Sequence, residues 1–108
     1  MKLYVAGPMT GLQDHNFPAF NHAAEQLRNT GYAVVNPADN GAEPGQSWLH
    51  YMRLDLAQML TCDGVATLPG WQSSRGASLE VHVAHRLGLP VRGWFGWCSI
   101  VPGAVLSA

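Results

Sequence analysis

Four short apolar runs, set apart by stretches of helical period, constrain the fold of this 108-residue chain more than any other feature. The runs are Lys2–Ala6, Tyr32–Val35, Gly64–Leu68 and the segment from Pro90 to Trp94. They are nearly continuous in apolar residues rather than alternating, which is how strands covered on both faces read. Gly7-Pro8 ends the first run, Asn36-Pro37 closes the second and Asp63 opens the third. Between them, Phe17, Phe20, Ala24 and Leu27 mark a helix with Asn16 as candidate cap, Pro18 in its first turn and Gly31 as its stop. Ser47 caps a second helix whose stripe is Leu49, Met52, Leu56, Met59 and Leu60. A third carries Leu79, Val83 and Leu87 and stops at Gly88-Leu89-Pro90. The order β-α-β-α-β-α-β predicts a Rossmann-like, flavodoxin-like α/β fold: three layers, α/β/α, around a parallel sheet of four to five strands. One domain over residues 1–108 is expected, with no clear period in the last fifteen residues.

Composition removes several function classes. Charged residues are 12%, about half the roughly 25% of ordinary soluble chains. With four Trp, so few charges predict that part of the surface is hidden in a homo-oligomer, a dimer or higher. A net charge of −1 argues against sequence-independent nucleic-acid binding, which needs a basic patch. No stretch approaches the ~20 apolar residues of a membrane span, and the N-terminus lacks a signal pattern. A cytoplasmic protein is expected. Cys62 and Cys98 lack CxxC spacing and read as reduced thiols rather than a disulfide or metal site.

In parallel sheets covered by helices, ligands sit at the carboxyl ends of the strands. Those ends carry Gly7-Pro8-Met9-Thr10-Gly11, Asn36-Pro37 and Pro69-Gly70-Trp71. The Gly7–Gly11 turn lets backbone N–H groups approach a ligand, but it is neither a GxGxxG nor a Walker A loop. Ser74-Arg75-Gly76 precedes a helix N-terminus, a seat for an anion such as a 5′-phosphate; Ser74 can equally be only a helix cap. Glu80 projects toward the third helix's apolar stripe, where a carboxylate is costly unless it has a partner or a task. It reads either as a reactive group or as a structural acid favoured by the helix dipole. Asp55 lies at the margin of the second helix's stripe, half-buried beside Met52 and Met59. Tyr4 and Trp71 are packing aromatics by default, and either could line a pocket for a flat ring.

Two carboxyl groups at an apolar, aromatic-lined pocket with an anion seat suit glycosidic chemistry, with Glu80 as nucleophile and Asp55 as acid/base or ligand-positioning group. His82 and His85 are three apart, but no HExxH motif or third ligand accompanies them, so no metal is expected. The serines lack a GxSxG elbow.

The blocks Leu3-Tyr4-Val5-Ala6-Gly7-Pro8-Met9-Thr10-Gly11, Asn16-Phe17-Pro18-Ala19-Phe20 and Gly70-Trp71-x-x-Ser74-x-Gly76-x-x-x-Glu80 resemble the DUF4406 proteins. These are small, often phage-borne relatives of the nucleoside 2-deoxyribosyltransferases and of the hydrolases of 2′-deoxynucleoside 5′-monophosphates. The resemblance runs over roughly residues 1 to 92 and leaves 93–108 as a poorly matched tail. It implies that Glu80 forms a covalent deoxyribosyl intermediate, that Asp55 contacts the leaving base or sugar, and that Tyr4 sits at the sugar and the catalytic carboxylate. Ser74 and Gly76 would hold the 5′ end, Gly7 would line the pocket floor, and Pro8, Met9 and Trp71 would contact substrate. The partner implied is a small nucleoside or nucleotide, with neither metal nor redox cofactor. The first loop lacks the arginine of the monophosphate hydrolases, a gap Arg75 could fill. Relatives complete their pocket from a neighbouring subunit, and Ser107 is the candidate here. The alternative is a nucleotide-binding module without turnover, such as a phage accessory protein.

Overall fold

The computed structural model describes residues 1–100. Ser107 and the rest of 101–108 lie outside the described residues. Strands β1 (Lys2–Ala6), β2 (Ala33–Val35), β3 (Gly64–Thr67) and β4 (Val91–Gly93) form one parallel sheet in the order β2-β1-β3-β4. Tyr4 lies in register with Val35 on one side and Val65 on the other. The helices are α1 (Phe17–Thr30), α2 (Trp48–Met59), α3 (Arg75–Arg86) and the short α4 (Trp94–Cys98).

The direction of each crossover decides which face a helix covers. Right-handed connections place α1 on one face as the chain steps from β1 out to β2. They place α2 and α3 on the other face as it steps back across β1 to β3 and on to β4. The buried side chains follow that division. Leu3 and Val5 of β1 pack with Phe20, Leu27 and Trp97 on the α1 side, while Tyr4 and Ala6 pack with Met59, Val65 and Ala84 on the α2–α3 side. Successive residues of a strand point to opposite faces, so Tyr4 was bound to face α2 and α3 once Leu3 and Val5 faced α1.

Several sequence expectations change. The buried face of α3 is Ala77, Glu80, Val81 and Ala84, whereas Leu79 is 36% exposed and Leu87 59% exposed. The expected leucine stripe is therefore rotated from the real one by about a third of a turn. The small side chains Ala77 and Ala84 let the helix lie close to its neighbours, and Leu79 and Leu87 face outward. Glu80 lies at the edge of the real stripe nearest the expected one, so its burial survives the correction. On α2, Met52 and Met59 are buried but Leu49 and Leu60 are exposed. Asn16 makes no capping bond; it adopts a left-handed conformation and its Nδ2 donates to the Pro8 carbonyl at 3.0 Å. The segment after β4 is helical rather than extended. Trp97 on α4 is buried, and its Nε1 donates to the Val65 carbonyl at 2.8 Å. The single Tyr32 hydroxyl proton is shared between the carbonyls of Ile100, at 2.6 Å, and Trp97, at 3.0 Å, which anchors this segment over the α1 face. Cys62 is buried, Cys98 half-buried, and both are free thiols. Among the described residues no helix is long and apolar enough to cross a membrane.

Gly7 is a requirement of packing. A Cβ built there would meet the Leu68 Cβ and Cδ1 at 2.7 Å, inside any tolerated contact. Leu68 is itself almost fully buried and has no room to withdraw. Gly7→Ala is expected to cost about 1–3 kcal/mol, the range for overpacking a filled core, read from the midpoint of a urea unfolding curve.

Candidate active site

The centre of the site is built from the middle of β1 and the second turn of α3. Tyr4 is fully buried, and its hydroxyl donates to Oε2 of Glu80, itself only 4% exposed. No buried side-chain nitrogen or oxygen among the described residues lacks a partner. Oε1 of Glu80 makes no bond to the protein there and therefore opens to the adjoining cavity. Burial raises the Glu80 carboxyl to about 8; the Tyr4 hydrogen bond opposes that rise and the charge of Asp55 adds to it. Glu80 is the sixth residue of α3, beyond the first turn where the helix dipole acts, so the expected dipole-favoured ionised form gives way to desolvation. The Tyr4 phenol is raised well above its ordinary value, by burial first and then by Glu80 and Asp55.

Asp55 approaches from α2 and is half-buried. Burial raises its carboxyl to about 6, and a hydrogen bond from Asn40 opposes the rise. The Asn40 Nδ2 donates to Asp55 Oδ1 at 3.0 Å. The two carboxyl groups thus share one site but titrate apart, because Glu80 is the more deeply buried.

They line a cavity of about 600 Å³ at the carboxyl ends of β1 and β2. Of the residues singled out in the sequence, Tyr4, Gly7, Met9, Asp55, Ser74, Gly76 and Glu80 all border it. Ser74 caps α3, its Oγ accepting from the Ala77 N–H at 3.2 Å, which leaves its hydroxyl proton free to donate. Gly76 allows α2 to approach, since a Cβ there would stand 3.0 Å from the Met52 sulfur.

Pro8 and Trp71 do not border the cavity, contrary to expectation. The Pro8 ring turns toward Gly70, and its carbonyl is taken by Asn16. Left-handed Gly70 leads into a 3₁₀ turn, Trp71–Ser73. Arg75 stacks over Trp48, its guanidinium carbon 3.7 Å from the ring centroid.

Sequence reasoning missed much of the wall. Trp48, Tyr51 and Met52 border the cavity with Asp55. Their spacing, i, i+3, i+4 and i+7, is one helix face and was a readable signal. Residues 41–46 form another wall, tied down where the Glu43 N–H donates to the Tyr51 hydroxyl oxygen at 2.5 Å. His15 also reaches the cavity, from a run in which Asp14, His15 and Asn16 all have positive φ. Such residues cost about 1 kcal/mol or more each and tend to occur at functional sites, but no sequence pattern announces them.

Residues 1–92 match the family described as a domain of unknown function, DUF4406, and the chain belongs to it. No curated protein matches the sequence. Among solved structures, the fold is similar to that of a 2-deoxyribosyltransferase from the psychrotolerant bacterium Bacillus psychrosaccharolyticus. The TM-score is 0.66 and the identity 21%, over 84% of this chain and 69% of that one.

The Glu80 proton links the site to stability. An unfolded Glu releases it near 4.5, whereas the folded protein holds it to about 8. Folding therefore binds a proton in that window. The contribution is fully present below about pH 4.5 and is lost as pH rises through about 8. Glu80→Gln keeps an acceptor for Tyr4 and does not titrate. Its thermal stability is expected to match wild type at pH 4.5 and exceed it by on the order of a few kcal/mol at pH 9. Tyr4→Phe strands Oε2 in the core and is expected to lose about 1–3 kcal/mol in a denaturant melt at pH 5.

Proposed function

We propose that this DUF4406 protein cleaves or exchanges the N-glycosidic bond of a 2′-deoxyribonucleoside or its 5′-monophosphate, with Glu80 as nucleophile. The observation that carries the reading is the pairing of two carboxyl groups with separate titrations, Glu80 and Asp55, across one aromatic cavity. The fold it shares with a protein whose described activity is 2-deoxyribosyl transfer is consistent with it.

In this reading Oε1 of Glu80 attacks C1′ as the C1′–N bond breaks, and the bond's electron pair leaves on the base nitrogen. The reactive form is the minority one in which Asp55 holds the site's proton and Glu80 is ionised, the reverse of the resting arrangement. From it Asp55 delivers that proton to the base. Tyr4 holds Oε2 while charge moves off the carboxylate. A water deprotonated by Asp55, or the nitrogen of a second base, then displaces Glu80 from C1′ with retained configuration. The aromatic wall of Trp48 and Tyr51 gives the base a stacking surface. A deoxyribose is favoured because it lacks the electron-withdrawing 2′-hydroxyl, which makes the oxocarbenium-like state easier to reach. The Ser74 hydroxyl at the α3 N-terminus suits the 5′ end, as a hydroxyl or a phosphate. The reaction needs no metal or redox cofactor. Completion of the pocket by a second subunit in a homo-oligomer belongs to the same reading.

A second reading has one observation in its favour. Because burial lifts Glu80 to about 8, the free protein at neutral pH holds it mostly as a neutral acid, which suits hydrogen bonding to a base edge in a binding module.

A panel of 2′-deoxynucleosides and their 5′-monophosphates, with and without a free acceptor base, separates the two when followed by chromatography. Turnover is expected in wild type and is expected to fall by several orders of magnitude in Glu80→Gln. Ligand affinity without turnover, retained in Glu80→Gln, would establish the binder instead. For the enzyme, kcat/KM against pH is expected to be bell-shaped, with limbs near about 6 and about 8 from the coupled pair.

A further inference from the structure

Beside Asp55 stands a closed pair of amides that neither the family motifs nor the cavity lining includes. Asn40 ends the 3₁₀ turn Pro37–Asn40 after β2, and Gln58 lies one helical turn beyond Asp55 on α2. The Asn40 Nδ2 donates to Gln58 Oε1 at 2.9 Å, and the Gln58 Nε2 donates back to Asn40 Oδ1 at 3.1 Å. A reciprocal amide pair reads the same with both amides flipped; the carboxylate of Asp55, which only accepts, sets Nδ2 on its side of Asn40 and so orients both amides. The second Nδ2 hydrogen of Asn40 is then committed to Asp55 Oδ1, at 3.0 Å. Asp55 Oδ2 has no protein partner among the described residues, yet no buried side-chain oxygen there is unpartnered. Oδ2 is therefore the solvent-facing oxygen of a residue that borders the cavity.

We infer that Asn40 is the positioning residue of Asp55: its amide, held in place by Gln58, grips one carboxylate oxygen and presents the other to the substrate cavity. Without that grip, Asp55 is free to rotate about its side-chain bonds, and either oxygen could face the cavity. A donated hydrogen bond also favours the charged carboxylate, so Asn40 opposes the desolvation that raises Asp55. The titratable groups that face Asp55 are Glu80 from α3 and Tyr4 from β1. Both are still protonated and neutral where Asp55 titrates, so it is desolvation that disfavours its charge. Asn40 and Gln58 do not titrate, so Asn40 supplies the counterweight. The arrangement stands on its own geometry; its catalytic consequence rests on the glycosidic reading above.

The test is the titration of the Asp55 side-chain carboxyl carbon, followed by NMR in the ligand-free protein for wild type, Asn40→Leu and Gln58→Leu. Wild type is expected to titrate near about 6. In Asn40→Leu the midpoint is expected to rise, so that the ionised fraction at pH 5 falls about tenfold, the effect of losing one charge-assisted hydrogen bond. Gln58→Leu is expected to move it the same way by less, because Asn40 remains but is no longer held in place. An unmoved Asp55 in folded Asn40→Leu overturns the inference. If Asn40→Leu does not fold, Asn40→Asp keeps the size, cannot donate when ionised, and is expected to raise Asp55 further. Where turnover of a deoxynucleoside is measurable, the acidic limb of kcat/KM is expected to move with the NMR midpoint while the basic limb stays in place. A limb that does not follow overturns the catalytic role of Asn40. Absence of turnover in wild type would remove the glycosidic reading, and the NMR comparison would still decide whether Asn40 positions Asp55.

Discussion

The hydrogen bond from the Tyr4 hydroxyl to Glu80 is the interaction around which this molecule is arranged. It joins the centre of the sheet to the buried face of α3, across 76 positions of sequence. A carboxyl group that deep is tolerable only if it is neutral or partnered. Tyr4 supplies the partner, and burial supplies the neutrality by lifting the carboxyl to about 8. Under the glycosidic reading proposed above, the same contact serves folding and chemistry in opposite ways. The protonated form is comfortable in the core, whereas the form able to attack an electrophile is the one the core resists.

Space for that contact comes from small residues placed where two surfaces converge. Ala77 and Ala84 bring α3 close to the sheet, Gly76 lets it meet Met52 of α2, and Gly7 lets the β1 turn pass Leu68. Larger residues at these points would push the helices apart and open Glu80 to water. Its carboxyl would then titrate like an ordinary surface acid, and the separation between Glu80 and Asp55 would narrow. The packing of α2 against α3 is thus also what keeps the two carboxyl groups distinct.

Legibility in the sequence varied with the kind of interaction. Strand and helix order followed from apolar runs and stop signals, because those are local. Burial of Glu80 was anticipated from a leucine stripe that turned out to face outward, since Leu79 and Leu87 are exposed and alanines form the inner face. Hydrophobicity alone favoured the larger side chains, but close helix packing favoured the smaller ones. Trp48, Tyr51 and Met52 were readable from their spacing with Asp55. His15 was not, because its position depends on three consecutive left-handed residues held by a bond from Asn16 to Pro8. Asn40 was equally hidden, since its meaning lies in the two groups on α2 that it touches.

What the sequence by itself determined is the alternation of elements, the parallel sheet that follows from it, and the chemical types available at the strand ends. Those properties rest on neighbours along the chain, whose preferences can be read a few residues at a time. The tertiary structure alone decided which residues share the cavity, that Pro8 and Trp71 do not border it, and that Glu80 holds a proton where Asp55 is closer to releasing one. Each of these depends on how much water and how many partners surround a group once distant segments meet. That quantity does not exist until the chain has folded.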